Sequence, residues 1–265
     1  MTLFLVAYFL WSVYALLFSG VWLIQKKTKN AGIVDVVWTY ATGAAGIVLI
    51  LYAAAPLFRK VIVGAIVLTW TLRLGLHLTI RYLKEPEDGR YTEMRKRWGD
   101  KYEKKMYFFY QLQAAWAVLF ALPMLSAAMN PAESLGWFDI AGIAVFLLSV
   151  VGEGIADVQL FRFKQNADNR GKVCRVGLWG YSRHPNYFFE WLHWFAYVFI
   201  SFGSIWMIGS LAGVAVMYLF LTRVTGIPLT EKRISASRKE AYAVYQQEVS
   251  SFFPLPNRTS KQAVQ

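Results

Sequence analysis

Glu190 and His193 stand three residues apart in an apolar stretch, and Asn186 precedes Glu190 by four. Spacings of three and four put side chains on one face of a helix, so these residues form a polar stripe. Glu153 with Asp157 makes a second stripe, and Asp35, Arg73, His77 and Arg223 bring further ionisable groups into apolar runs. At the centre of a membrane helix a charge costs roughly 2.5–3.5 kcal/mol, so each of these must face protein or a wet cavity. Two uses are open to such stripes. They join helices through buried hydrogen bonds, or they line a cavity. Most of them fall where the later apolar stretches meet Gly- and Arg-rich loops. That describes a cavity with Arg and Lys at its mouth and Asn, Glu and Asp within, suited to an anionic ligand with a polar head.

Other chemistry finds less support. The Glu190-x-x-His193 spacing occurs in helical di-iron bundles, which need two such pairs and two more carboxylates. The chain has three histidines, His77, His184 and His193, so no metal site is expected. Neither Cys174 nor any serine has a partner spaced for nucleophilic catalysis. A Gly-x-Gly-x-x-Gly or Walker-type loop is absent, so a nucleotide would be held by side chains.

The elements that position these residues are membrane helices. The chain has 265 residues, 57% of them hydrophobic, and carries its charge in blocks. About 20 apolar residues cross a hydrocarbon core of about 30 Å. Seven candidate spans result: 3–24, 33–55, 60–80, 107–128, 138–161, 187–207 and 209–229. The first lacks the basic flank and cleavage site of a signal peptide and reads as a span. Of 28 Lys and Arg, 25 lie in 25–30, 81–106, 162–183 and 223–265. Those segments follow spans one, three, five and seven, and alternation puts them all on one side. By the positive-inside rule that side is the cytoplasm, with the N-terminus outside. Arg59 and Lys60 fall in the loop between spans two and three. Topology thus accounts for the net charge of +12, and nucleic-acid binding is not expected. The fold expected is an all-α integral membrane protein of about seven transmembrane helices, multi-pass, in the inner membrane if the chain is bacterial.

With neither linker nor repeat, residues 1–257 read as one catalytic domain and 258–265 as a flexible tail. Segment 81–106 mixes nine basic with six acidic residues, and its Tyr82, Tyr91, Trp98, Tyr102 and Met106 suit an interfacial helix. Segment 162–186, with Gly171, Gly177 and Gly180, reads as a loop before Pro185 opens span six. An amphipathic helix is expected after residue 230. Cys174 excludes an internal disulfide.

The stretch Leu178 to Glu190, LWGYSRHPNYFFE, resembles a signature of the steroid 5-alpha-reductase family and its bacterial relatives. More distantly it is similar to isoprenylcysteine carboxyl methyltransferases and sterol reductases. Asp157-x6-Lys164, Glu231, Tyr242, Tyr245 and Phe252-Phe253-Pro254 resemble the pieces flanking that signature. Asp35-Val36-Val37-Trp38, Glu87-Asp88-Gly89-Arg90-Tyr91 and Gln113 are similar to the bacterial relatives. The resemblance covers roughly residues 28–256. It implies a seven-helix enzyme holding NADPH in its C-terminal helices, while a lipid-like enone, such as a 3-oxo-4-ene steroid, enters among its N-terminal ones.

Carried over by position, Asp157, Asn186 and Glu190 contact the polar parts of the dinucleotide, and Tyr187 and His184 help to hold it. Lys164, Lys172, Arg175, Arg183 and Arg223 suit its phosphates, and Arg90 with Tyr91 makes another cofactor-contacting pair. The implied chemistry is conjugate reduction, with an acid polarising the enone oxygen. The family's acidic position in span two matches Asp35, whose carboxyl would donate a hydrogen bond. The steroid enzymes pair that carboxyl with a span-three tyrosine. This chain has none there and offers His77 or Tyr40 instead. Beyond the enone and membrane lipids no protein partner is implied. Methyl transfer from S-adenosylmethionine is the alternative, since the Arg-His-Pro-x-Tyr loop and the C-terminal Glu are shared with that branch.

Overall fold

A computed structural model describes residues 2–257, so the tail expected at 258–265 lies outside the described residues. The described residues are all-helical, with six helical stretches long and apolar enough to cross a membrane. The chain divides into two units, one of residues up to Asp139 with Tyr197–Gly213, the other of Ile140–Ala196 with the chain from Val214 on.

The first unit is built on α1 (Leu3–Thr28), α2 (Ile33–Tyr52), α3 (Leu57–Lys84), α4 (Gly89–Trp98), α5 (Tyr102–Leu119) and α6 (Leu122–Ala128). Small residues bring α2 and α3 together. Gly75 on α3 lies under the ring of Tyr40, where a Cβ would come within 2.6 Å of ring carbons, so a larger residue would push the helices apart. The packed interior runs from Val6, Leu10, Tyr14 and Phe18 of α1 to Tyr110, Ala114 and Ala117 of α5. Tyr14 donates its hydroxyl to the Ala41 carbonyl at 2.8 Å. The surface of α1 and α3 is instead apolar, with Phe4, Leu16, Leu57 and Leu83 exposed. Exposed apolar area on that scale suits lipid and not water.

Three features depart from the expected spans. Residues 107–128 form two helices, because Pro123 opens α6 and its missing N–H cannot continue α5. Arg59 and Lys60 belong to α3, not to a loop. Arg59, 2% exposed, donates to Asp139 at 2.7 and 3.4 Å, to the Ala132 carbonyl at 2.8 Å and to the Ile200 carbonyl at 3.3 Å. Its charge is thereby matched without solvent. The third is the stretch expected to form span six. It contains α8 (Pro185–Ile200), whose 16 residues rise about 24 Å, short of the core thickness, before turns lead to α9 (Met207–Leu219).

The second unit contains most of α7 (Trp137–Gln165) and α8, then α10 (Ile227–Ser237) and α11 (Lys239–Glu248). Between α9 and α10 the helix widens to a π turn over Phe220–Val224. A Cβ on Gly226 would strike the Leu221 carbonyl, so the chain passes there only as glycine, and Pro228 starts α10. The loop 166–184 contains short 3-10 turns at Ala167–Asn169 and Gly177–Gly180. It is pinned to α7 by Trp179 Nε1 donating to Ala156 O at 2.9 Å and Leu178 N donating to Gln159 Oε1 at 3.0 Å.

Candidate functional site

In the first unit the site assembles around Asp35, in the first turn of α2. The acidic loop before α4 places Asp88 as that helix's N-cap, where its carboxylate accepts from Arg90 N at 2.9 Å. This cap turns Arg90 and Tyr91 towards α2. Arg90 donates to Asp35 Oδ2 at 2.7 Å, and the Tyr91 hydroxyl donates to Asp35 Oδ1 at 2.7 Å. Asp35 therefore accepts at both oxygens, where the resemblance implied that it donates.

Asp88 also pairs with Arg90 Nε at 3.2 Å and with Arg81 at the end of α3. Burial pushes the Asp88 carboxyl up, but the Arg90 and Arg81 guanidiniums and the hydrogen bonds from Arg90 outweigh it and hold its pKa well below the ordinary value. Glu87 completes the loop by accepting from Ala31 N at 2.8 Å and from Arg95 at 2.9 Å.

The Asp35 and Arg90 side chains keep 25% and 24% of their surface exposed, while Tyr91 is 1% exposed. A small cavity opens at Asp35, walled also by Asn30, Gly32, Leu78, Arg81, Tyr82 and Asp88. Its volume of about 20 Å³ is room for a water molecule. The other two candidates from this half lie elsewhere. Tyr40 lays its ring on Gly75 and brings its hydroxyl to 3.5 Å from Thr79 Oγ1, and His77 is exposed on α3.

In the second unit the two polar stripes meet. Asn186 Nδ2 donates to Asp157 Oδ1 at 3.4 Å, joining α8 to α7. Glu190, buried, accepts from Trp194 Nε1 at 3.4 Å, and His193 Nδ1 lies 3.7 Å from its carboxylate. Lys164, Lys172, Arg175 and Arg223 are exposed. Of these, Arg175 pairs with Glu248 and lies 5.3 Å over the Tyr245 ring.

Arg183 and His184 do different work from these cations. Arg183 Nε donates to Glu231 Oε1 at 2.7 Å, and Nη1 donates to the carbonyls of Gln246 and Val249 at 3.1 and 2.5 Å. His184 Nε2 lies 3.3 Å from the same Glu231 oxygen, and Gln246 Nε2 donates to Oε2 at 3.1 Å. Burial pushes the His184 pKa down, and Glu231 only partly offsets it. The His184 ring stacks on Tyr187 at 5.4 Å, and the Tyr187 hydroxyl is 3.4 Å from Thr230 Oγ1. Ser182 Oγ donates to the Phe252 carbonyl at 2.8 Å and Tyr245 donates to Trp179 O at 2.6 Å. This cluster clasps the C-terminal segment to the loop before α8.

Sequence reasoning left Asp88, Glu87, Arg81 and Arg95 out of the site, and Gln246 out of the clasp. The signal available for the first two was the acidic Glu-x-Glu-Asp-Gly run ahead of a helix, which is an N-cap pattern. Arg81, Arg95 and Gln246 carry no local signal, since their partners are set by folding.

A family described as "Protein of unknown function (DUF1295)" matches residues 21–249. An uncharacterized protein of Schizosaccharomyces pombe is 27% identical over 268 residues, covering 88% of this chain and 75% of the relative. No solved structure matches. The chain belongs to the DUF1295 family, within the steroid 5-alpha-reductase-like superfamily.

Proposed function

We propose that the protein is a membrane-embedded NADPH-dependent reductase of the carbon–carbon double bond in a lipid-like enone, with a 3-oxo-4-ene steroid as the first substrate to try. The observation that carries this reading is the Asp35–Tyr91–Arg90 group: a carboxylate on the second helix, itself lining a water-sized cavity, bonded at 2.7 Å to a phenol and at 2.7 Å to a guanidinium. The phenol that the steroid enzymes take from span three comes here from α4. In this reading the acidic hydrogen of the pair is the one on Tyr91 Oη. The Tyr91 hydroxyl turns from Asp35 to hydrogen-bond the substrate oxygen, Arg90 offsets the charge of Asp35 beside it, and the α-carbon takes its proton from water. Asp88 keeps Arg90 aligned through two bonds from one side chain.

NADPH, when bound, supplies hydride. In the second unit Lys164, Lys172 and Arg223, all exposed, fit its phosphates, and Asp157, Asn186 and Glu190 fit its hydroxyl and amide groups. Arg183 and His184 fit less well, because Glu231 already takes the bonds a phosphate would need.

The test is NADPH oxidation by the detergent-purified protein with progesterone as acceptor, followed at the nicotinamide absorbance. Enone-dependent oxidation is the expected result. Binding of S-adenosylmethionine without binding of NADPH would replace reduction with methyl transfer. The proposal also places the basic segments in the cytoplasm. Asp100→Cys and Arg170→Cys, each in a Cys174→Ser background, should then react with thiol reagent only from that side.

A further inference from the structure

At one end of α1 and α5 the surface changes from apolar to cationic at a single level. On α1 the exposed Leu23 and Ile24 are followed within a turn by Lys26, Lys27 and Lys29, all exposed. On α5 the exposed Tyr107 and Phe108 are preceded by Lys105, Lys104 and Lys101, again exposed. The two helix ends are locked side by side. Trp22 Nε1 donates to Glu103 O at 3.2 Å, Gln25 Nε2 donates to Glu103 Oε2 at 3.0 Å, and the Trp22 and Tyr107 rings lie 5.1 Å apart. The register of the two transitions is therefore fixed. Lys96 and Arg97 of α4 add two more exposed cations to the segment leading into α5.

Most acids nearby are engaged within the fold. Glu87 takes Arg95, Asp88 takes Arg81 and Arg90, and Glu103 takes Gln25. The aromatic rings reinforce the level. Lys26 Nζ stands 4.7 Å over Trp22, and Lys105 Nζ 5.7 Å over Trp98. An indole carrying an ammonium is amphipathic in the manner suited to the headgroup layer. A partner meeting this face must offer negative charge within one helical turn of hydrocarbon, and a phospholipid headgroup does so.

We propose that the paired ends of α1 and α5, with α4, form a binding face for anionic phospholipid headgroups. The cations contact the phosphates, while Leu23, Ile24 and Phe108 meet the chains.

The test uses the full-length protein, purified in detergent and titrated with phosphatidylglycerol or phosphatidylcholine, with retained lipid counted by native mass spectrometry. Wild type should retain phosphatidylglycerol over phosphatidylcholine by more than about tenfold, as several cations near an anionic surface provide. Combined Lys96→Gln, Arg97→Gln, Lys101→Gln, Lys104→Gln and Lys105→Gln should abolish that preference. Lys232→Gln, Arg233→Gln and Lys239→Gln together should leave it intact. The pairs Lys96→Gln/Arg97→Gln and Lys104→Gln/Lys105→Gln, each expected to lower it severalfold, serve if the fivefold variant misfolds. Equal retention of the two lipids by wild type, or equal loss in the control variant, would overturn the proposal.

Discussion

Asp35 and Glu231 sit at the centre of similar groups, each a carboxylate taking an arginine and a second polar side chain, yet the two groups are built for different ends. Around Asp35 the carboxylate and the arginine each keep about a quarter of their surface open, beside a cavity. Around Glu231 the arginine is 9% exposed, the histidine 3%, and Arg183's remaining bonds go to backbone carbonyls of the C-terminal segment. Charge pairing alone therefore does not mark a site. What distinguishes the two is where the surplus hydrogen-bonding capacity points: at open space in one, at the chain itself in the other.

If that distinction holds, the largest effect on stability should come from the clasp. Glu231→Ala leaves Arg183 buried without its partner and should cost about 3 kcal/mol, read as a drop in the thermal unfolding midpoint. A midpoint equal to wild type would remove the contrast. Tyr91→Phe should do the opposite. It deletes one hydrogen bond, for about 1 kcal/mol of stability, but should slow enone reduction by roughly a hundredfold or more while NADPH binding is kept. Asp35→Asn should likewise spare NADPH binding and slow turnover, whereas Glu190→Ala should weaken NADPH binding measured by fluorescence. Unchanged activity in all three would sink the site.

The smallest effect is a pH dependence confined to the clasp. Burial lowers the folded-state pKa of His184 below its unfolded value of about 6.5. The unfolded chain then takes up a proton first as pH falls. Stability from this group is full above about pH 6.5 and declines below it, by no more than about 1.4 kcal/mol per pH unit, until the folded pKa is reached. Unfolding midpoints at pH 7.5 and 5.5 should differ more in wild type than in His184→Gln, and equal slopes would remove His184 from the account.

Much of the fold is legible in sequence because apolar length and punctuation report directly on helices. Pro56, Pro185 and the Lys26-Lys27 run all stand at helix ends. Arg59 shows where that logic stops. By pattern it is a loop cation, and only a partner 80 residues away at Asp139 makes it a buried helical one. The candidate site divides in the same way. Spacing along one helix finds Glu190 with His193, but not Asp35 with Tyr91, which folding brings together across 56 positions. Nor does spacing reveal that Arg183 and His184, alike in type to phosphate ligands, are used up by Glu231.

The clasp also sets a timetable for synthesis. Trp179 and Ser182 leave the ribosome 66 and 70 residues ahead of the Tyr245 and Phe252 that bind them. At about 5–20 residues per second the loop before α8 waits several seconds with its carbonyls and Arg183 unmatched. During that interval α9 and α10 must be made and set in place. The segment thus needs shelter by the insertion machinery or a chaperone, as does Arg59, which waits 80 residues for Asp139, and a slowed codon would be felt at both.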